Sequence, residues 1–300
     1  MRSRMQCIAA GREAALNRLC RLMSYQFQPG KLYRMPTHFG PSMGPRQGPD
    51  GRRYECREGP KVTAVAVNFL TNREQLSALL PERFEVGPQP MVTVYATYMT
   101  DIEWLAGRGY NTLGVTFPAV FRGEVDRVSG QFLAVLWENL ADPIITGREE
   151  LGFAKIYCEL PDPKVQSGEM HCQASWLGFT FLELIAENLK PQSRDQIEDF
   201  VAGQTGDGRL HYKYIPMTGQ WGEADAEYAV LTPAATPNQV IEERSVGEGT
   251  VRFHSATWEE LPTLFHIVNT LGALEIKQYL GASVTKMVGM KDLRDQRILR

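Results

Sequence analysis

The stretch TGREELGFAKIY, residues 146–157, sets one lysine, Lys155, inside an apolar run. On a strand, Phe153, Lys155, Tyr157 and Glu159 share one face, so the amine sits between two aromatic residues on a face that could line a cavity. Two chemistries compete. A snorkelling lysine covers apolar surface with its stem and keeps its ammonium in water. A desolvated lysine instead favours the neutral amine, which attacks a carbonyl carbon to form a Schiff base. Moving its pKa from roughly 10.4 to about 7 costs roughly 4–5 kcal/mol, so a scaffold must hold it there.

No other motif offers a rival chemistry. The histidines His38, His171, His211, His254 and His266 form no HxH or HxxxH pair, and no metal site is expected. The cysteines Cys7, Cys20, Cys56, Cys158 and Cys172 are odd in number and scattered, without CxxC. That argues against a disulfide framework and points to a reducing compartment, read here as the cytoplasm. GxGxxG, GxxxxGK[ST] and GxSxG are absent, and the cluster GPSMGPRQGPDG has prolines where a phosphate cradle needs N–H groups.

Composition is that of an ordinary soluble globular protein. The chain has 300 residues, 43% hydrophobic and 22% charged, with a net charge of −3. No basic stripe with interleaved aromatics supports nucleic-acid binding. The apolar runs fall short of the ~18 residues that a membrane helix needs.

The elements that must position Lys155 are mostly strands. Thr146 and Glu149 have capping-box spacing, predicting a short helix through Leu151 that Gly152 ends, followed by a strand over FAKIYCEL. Further strands are expected at 62–70, 91–99, 113–125, 130–140, 210–217, 226–233, 249–258 and 279–289, with a strand pair across 170–185. Helices are expected after Thr71, capped with Glu74, and after Ser193, capped with Gln196 and ending at Gly203. Strands seldom alternate with long helices, so the fold class is α+β, mainly antiparallel β, as a curved sheet or barrel holding a cavity. Residues 1–59 read as an N-terminal extension with a Gly/Pro-rich arm, 60–290 as the compact domain and 291–300 as a tail. The basic segment 1–22 reads either as an Arg-rich presequence or as a mis-assigned start before Met23, and it is expected to be dispensable.

The segment GREELGFAKIYCEL resembles the acetoacetate decarboxylase superfamily, in which a Gly-Arg-Glu turn precedes an aromatic, a small residue or proline, and the Schiff-base lysine. The matching residues are Gly147, Arg148, Glu149, Phe153, Ala154 and Lys155. Fainter similarity extends from about residue 60 to 290, through LTNREQLSALLPERFEV, PMVTVYATYM, GYNTLGVTFPAVFRGE, LHYKYIP and FHSATWEELPTLF. The resemblance implies a cone-like double β-barrel with a few short helices and the lysine in a buried cavity. It implies a homo-oligomeric lyase that needs no cofactor, in which Lys155 forms an imine with a keto acid and carbon dioxide leaves. An activated Schiff-base lysine of this kind is the family's known device.

The departures shape the rest of the expectation. The second lysine that usually follows the nucleophile is Ile156, which a strand would point away from the cavity, leaving desolvation alone to tune Lys155. The family's two cavity glutamates would fall near Tyr95 and Thr112, and its substrate-carboxylate arginine near Val62. A β-keto acid larger than acetoacetate is therefore the expected substrate. The alternatives are a Schiff-base aldolase or dehydratase acting on an oxo acid or aldehyde, and a catalytically silent ligand-binding barrel. Tyr95, Tyr110 and Thr112 are candidate substrate contacts against a plain strand role. Arg148, with Glu149, is a turn residue that could also touch substrate. His254 is the candidate proton donor to the enamine, because histidine titrates near neutrality.

Overall fold

The structure, a computed structural model, describes residues 25–42, 47–234, 238–291 and 293–300. The expectations for residues 1–22 therefore lie outside the described residues, as does part of the Gly-Pro arm. The chain divides into two compact units, Met1–Arg53 and Tyr54–Arg300. In the first, Tyr25, Phe27 and Tyr33 pack edge to face with ring centroids 4.8–6.2 Å apart.

The second unit is built on one large sheet. Its strands are β1 (Lys61–Leu70), β2 (Phe84–Val86), β3 (Met91–Thr100), β4 (Tyr110–Arg122), β5 (Arg127–Glu138), β6 (Lys155–Tyr157) and β7 (Lys164–Gln166). They continue as β8 (Glu169–Trp176), β9 (Phe179–Pro191), β10 (Gly208–Pro216), β11 (Ala224–Pro233), β12 (Val240–Phe253), β13 (Gln278–Val288) and β14 (Arg297–Ile298). The hydrogen-bonded order is β14-β11-β10-β5-β4-β3-β1-β13-β12-β9-β8-β7, with β2 on β4 and β6 on β5. The pairings are antiparallel except those of β5 with β6 and with β10. No pairing among the described residues closes this path end to end. The architecture is α+β and mainly antiparallel, and helices α1 (Arg73–Ser77), α2 (Ala141–Thr146), α3 (Arg194–Ala202) and α4 (Phe265–Gly272) are short.

Local signals act through slightly different residues than their spacing suggests. The cap of α1 is Asn72, whose side chain accepts from the backbone N–H groups of Glu74 and Gln75, while Thr71 is buried before it. The Ser193–Gln196 capping box of α3 forms in both directions.

The register sorts the centre of the sheet into two faces. Directly opposed residues point the same way and successive residues point oppositely. On one face Val65, Ala96, Leu113, Trp137 and Ile156 follow one another across β1, β3, β4, β5 and β6. This is the apolar core, where Trp137 packs against Phe181 of β9 with ring centroids 5.3 Å apart. The other face of the same strands carries two different rows. One is Ala64, Thr97, Thr112, Glu138 and Tyr157; the next is Ala66, Tyr95, Gly114, Leu136 and Lys155.

Candidate active site

Parallel strands cannot be joined by a tight turn, so the chain leaves β5 and returns to β6 through a helical crossover. That crossover is α2 followed by one π-helical turn, Gly147–Leu151. Thr146, expected to start a helix, ends α2 instead, and its hydroxyl donates back to the Asp142 carbonyl. Gly152 closes the turn in the left-handed region, at φ +74°, and the N–H groups of Gly152 and Phe153 both reach the Gly147 carbonyl. The guanidinium of Arg148 donates to the Lys155 carbonyl at 2.8 Å. Lys213 of β10 donates to the Glu149 carbonyl at 2.6 Å. Two long cationic side chains thus hold the turn that delivers Lys155.

Gly147 makes room for the lysine. A Cβ there would lie 2.4 Å from Lys155 Cδ and 2.8 Å from Nζ. Lys155 is 7% exposed, which removes the snorkelling reading. Its Nζ lies 2.8 Å from Oε1 of Glu138, donates to the Pro143 carbonyl at 3.0 Å, and stands 5.3 Å from the Phe153 ring centroid. Glu138 is 1% exposed, and its Oε2 has no hydrogen-bond partner among the described residues. Burial raises the Glu138 pKa above the ordinary carboxylate value, and the opposing charge of Lys155 offsets part of that. The expectation that desolvation alone tunes Lys155 is therefore corrected: a buried carboxylate faces the amine, supplied by β5 and not by the positions of Tyr95 or Thr112.

Tyr95 stands in the same row as Lys155. Its ring lies over Gly114, where a Cβ would come within 2.4 Å of the hydroxyl oxygen. The ring keeps some exposure, but its hydroxyl is buried and has no partner among the described residues. Burial raises its pKa; Arg209 opposes the shift and Glu138 adds to it. Thr112 sits beside Glu138 in the adjoining row, with its hydroxyl against that of Thr97.

Strand β10 adds groups that the sequence reading passed over. Arg209, His211 and Lys213 alternate along it and so share one face. His211 is 1% exposed, packs edge-on against Phe153 with ring centroids 4.2 Å apart, and shares a 2.8 Å hydrogen bond with the Thr232 hydroxyl through Nε2. Its Nδ1 is buried without a partner among the described residues. Burial, then the charges of Arg209 and Lys155, lowers its pKa well below the usual histidine value, so it is neutral at pH 7. The period of two was visible in LHYKYIP, but a charged alternating face usually faces solvent, and only the packing buries it.

The remaining expected residues lie elsewhere. Tyr110 packs edge-on against Trp104 at 6.4 Å, in a small apolar cluster with Val62, Met99 and Ile102. His254 follows β12, is partly exposed, and binds Glu183 of β9 at 2.8 Å. Arg148 acts on the lysine's own backbone carbonyl. Among the described residues no cluster of three or more His, Cys, Asp or Glu is placed to hold a metal ion. No helix among them is long and apolar enough to cross a membrane.

Comparison with known proteins follows the same lines. The sequence model of the acetoacetate decarboxylase family matches residues 34–296. An acetoacetate decarboxylase from Legionella pneumophila subsp. pneumophila str. Philadelphia 1 superposes with a TM-score of 0.60 at 18% identity, over 84% of this chain and 92% of that one. An acetoacetate decarboxylase-like enzyme from Sphingomonas wittichii RW1 gives 0.57 at 14% identity, over 78% and 92%. The enduracididine biosynthesis enzyme MppR, solved with the condensation product of pyruvate and imidazole 4-carboxaldehyde, gives 0.57 at 14%, over 86% and 97%. At these identities the similarity shows a shared fold. No curated protein sequence matches the chain.

Proposed function

Because the chain belongs to the acetoacetate decarboxylase family, we propose that it is a cofactor-independent lyase in which Lys155 forms a Schiff base with a keto acid, most directly a β-keto acid that loses carbon dioxide. The observation that carries this reading is the buried amine of Lys155, 2.8 Å from the buried carboxylate of Glu138.

The chemistry follows from that pair. Glu138 accepts a proton from the Lys155 ammonium, leaving a neutral amine and a neutral carboxyl group. Burial eases this exchange out of the ion pair, because it removes two charges from a poorly solvated place. The amine attacks the keto carbon; the C–N bond forms and the carbonyl electron pair moves to oxygen. The Glu138 carboxyl returns its proton to that oxygen, a second proton passes from the nitrogen to the resulting hydroxyl, water leaves, and the iminium remains. The bond to the carboxylate then breaks, its electron pair enters the iminium to give an enamine, and carbon dioxide departs. Protonation of the enamine carbon and hydrolysis release the ketone and restore the amine. A carboxyl group with a raised pKa suits both proton transfers, because its affinity for the proton lies closer to neutral conditions. His211 is buried edge-on to Phe153 with an Nδ1 that has no partner among the described residues, which makes it a better candidate than His254 to relay a proton to the enamine, one ring nitrogen giving its proton as the other accepts one.

An aldol or dehydration reaction through the same iminium is the second reading, favoured by the similarity to MppR with its bound condensation product. Incubation with β-keto acids of increasing chain length separates the two. Carbon dioxide and the matching ketone in equal amounts, abolished by Lys155→Ala, support decarboxylation. Imine formation without carbon dioxide supports the aldol reading. Neither product nor imine supports a silent binding protein.

A further inference from the structure

The β10 face holds one group that the Schiff-base chemistry does not use. Lys213 is committed to the Glu149 carbonyl, and His211 Nε2 to Thr232. Arg209 is half-buried, with its guanidinium carbon 5.5 Å from the centroid of the Tyr95 ring. No carboxylate pairs with it among the described residues. The aromatic face supports the cation but takes none of its N–H donors. Beside it lies the buried Tyr95 hydroxyl, also without a partner.

A partly desolvated cation without an anion is costly, and a buried hydroxyl without a partner adds to that cost. The Lys155–Glu138 pair is neutral as a unit and cannot balance Arg209. An incoming anion would satisfy both Arg209 and Tyr95. The guanidinium fork matches a carboxylate in shape, offering two parallel N–H donors, and the phenol offers an O–H to the same oxygens. Gly114 leaves the space over which the Tyr95 ring lies, so the tyrosine is held toward Lys155 along their shared row.

We propose that Arg209, with the Tyr95 hydroxyl, binds the carboxylate of the keto acid that Lys155 attacks, and so selects keto acids over neutral carbonyl compounds. The assignment rests on the Schiff-base reading and names the groups that recognise the acid. The guanidinium comes from β10, which lies beside β5. The clamp sorts by charge and is indifferent to which bond later breaks.

The test is the rate of borohydride trapping of pyruvate, acetoacetate and acetone on the full chain, in wild type, Arg209→Gln, Arg209→Lys and Tyr95→Phe. Wild type is expected to trap the two keto acids faster than acetone. Arg209→Gln should slow keto acid trapping by about 10- to 100-fold, the loss of a charge-assisted pair, and leave acetone trapping unchanged. Arg209→Lys should retain part of the preference, and Tyr95→Phe should lose part of it, which keeps the test open should Arg209→Gln misfold. Equal loss for all three probes, or an undiminished preference in Arg209→Gln and Tyr95→Phe, would overturn the clamp while leaving the imine intact. No adduct with any probe in wild type would remove the Schiff-base reading and the clamp with it.

Discussion

Glu138 and Lys155 stand on parallel neighbouring strands, one row out of step, and their side chains lean together until Oε1 lies 2.8 Å from Nζ. Leu136, not Glu138, is the register partner of Lys155, so the lysine must reach along the strand to make the pair. Gly147 leaves the path open and the Pro143 carbonyl takes another N–H. The crossover helix, the π-helical turn and the two clamps from Arg148 and Lys213 all converge on that one geometry.

Glu138→Gln keeps the shape of the pair and removes its anion. The lysine then lacks both its proton acceptor and its countercharge. Turnover should fall by about 10²-fold or more, the usual loss for a general base. Stability should fall by about 3 kcal/mol, because one partner of a buried ion pair is left alone. Adding Lys155→Met should restore most of that stability without restoring activity. A denaturant titration of both variants checks this, and a single variant as stable as wild type would show that the pair is already neutral.

Gly147→Ala separates room for the lysine from folding. The backbone at Gly147 is right-handed helical, at φ −64°, so alanine fits its conformation. Its methyl group would meet the flexible end of Lys155 and push the amine away from Glu138. Trapping should slow by about 10-fold or more, as for a misplaced reacting group, while the melting temperature changes little. Loss of folding together with activity would mean that the turn cannot yield.

Gly152→Ala should act the other way round. At φ +74° an alanine is strained, and its Cβ would lie 2.9 Å from Cβ of Lys213. A stability loss of about 1–2 kcal/mol is expected from the backbone alone. A fully stable alanine variant in chemical denaturation would contradict the left-handed cap.

His211 ties stability to pH. Its folded pKa is lowered well below 6.5, so in mildly acidic solution the unfolded chain binds a proton that the folded chain refuses. Stability therefore rises with pH across that window and is lost as pH falls below about 6.5, by up to about 1.4 kcal/mol per pH unit from this one group. Glu138 works in the opposite sense: its folded pKa is raised, so its contribution is present below the unfolded carboxylate pKa and lost as pH rises through the folded one. Urea titrations between pH 5 and pH 7 should show a flatter dependence for His211→Gln than for wild type. Equal slopes would show that His211 titrates normally.

The sequence revealed what neighbours in the chain decide. Lys155, the turn before it and the Gly152 stop are consecutive, and the strands around them follow alternating patterns that the register preserves. What pairing across the sheet decides was hidden. Glu138 meets Lys155 only because β6 lies parallel to β5, and nothing in LWENL marks its one acid as buried. Arg209, His211 and Lys213 read as an ordinary solvent face until β10 is placed beside β5. Arg148 reads first as a turn residue, and its guanidinium donates to a carbonyl seven residues ahead. His254 looked suited to proton transfer by type, but its described partner is Glu183.

The proposed chemistry stands on one bond, from the buried amine of Lys155 to the carbonyl carbon of the substrate. Incubating the protein with a keto acid, reducing with borohydride and mapping the adduct by peptide mass spectrometry tests it most directly. The expected result is a single substrate-derived mass increment on Lys155, absent without borohydride, absent in Lys155→Ala and strongly reduced in Glu138→Gln. An increment on Lys213 or on an exposed lysine, with Lys155 unmodified across α- and β-keto acids, would contradict it.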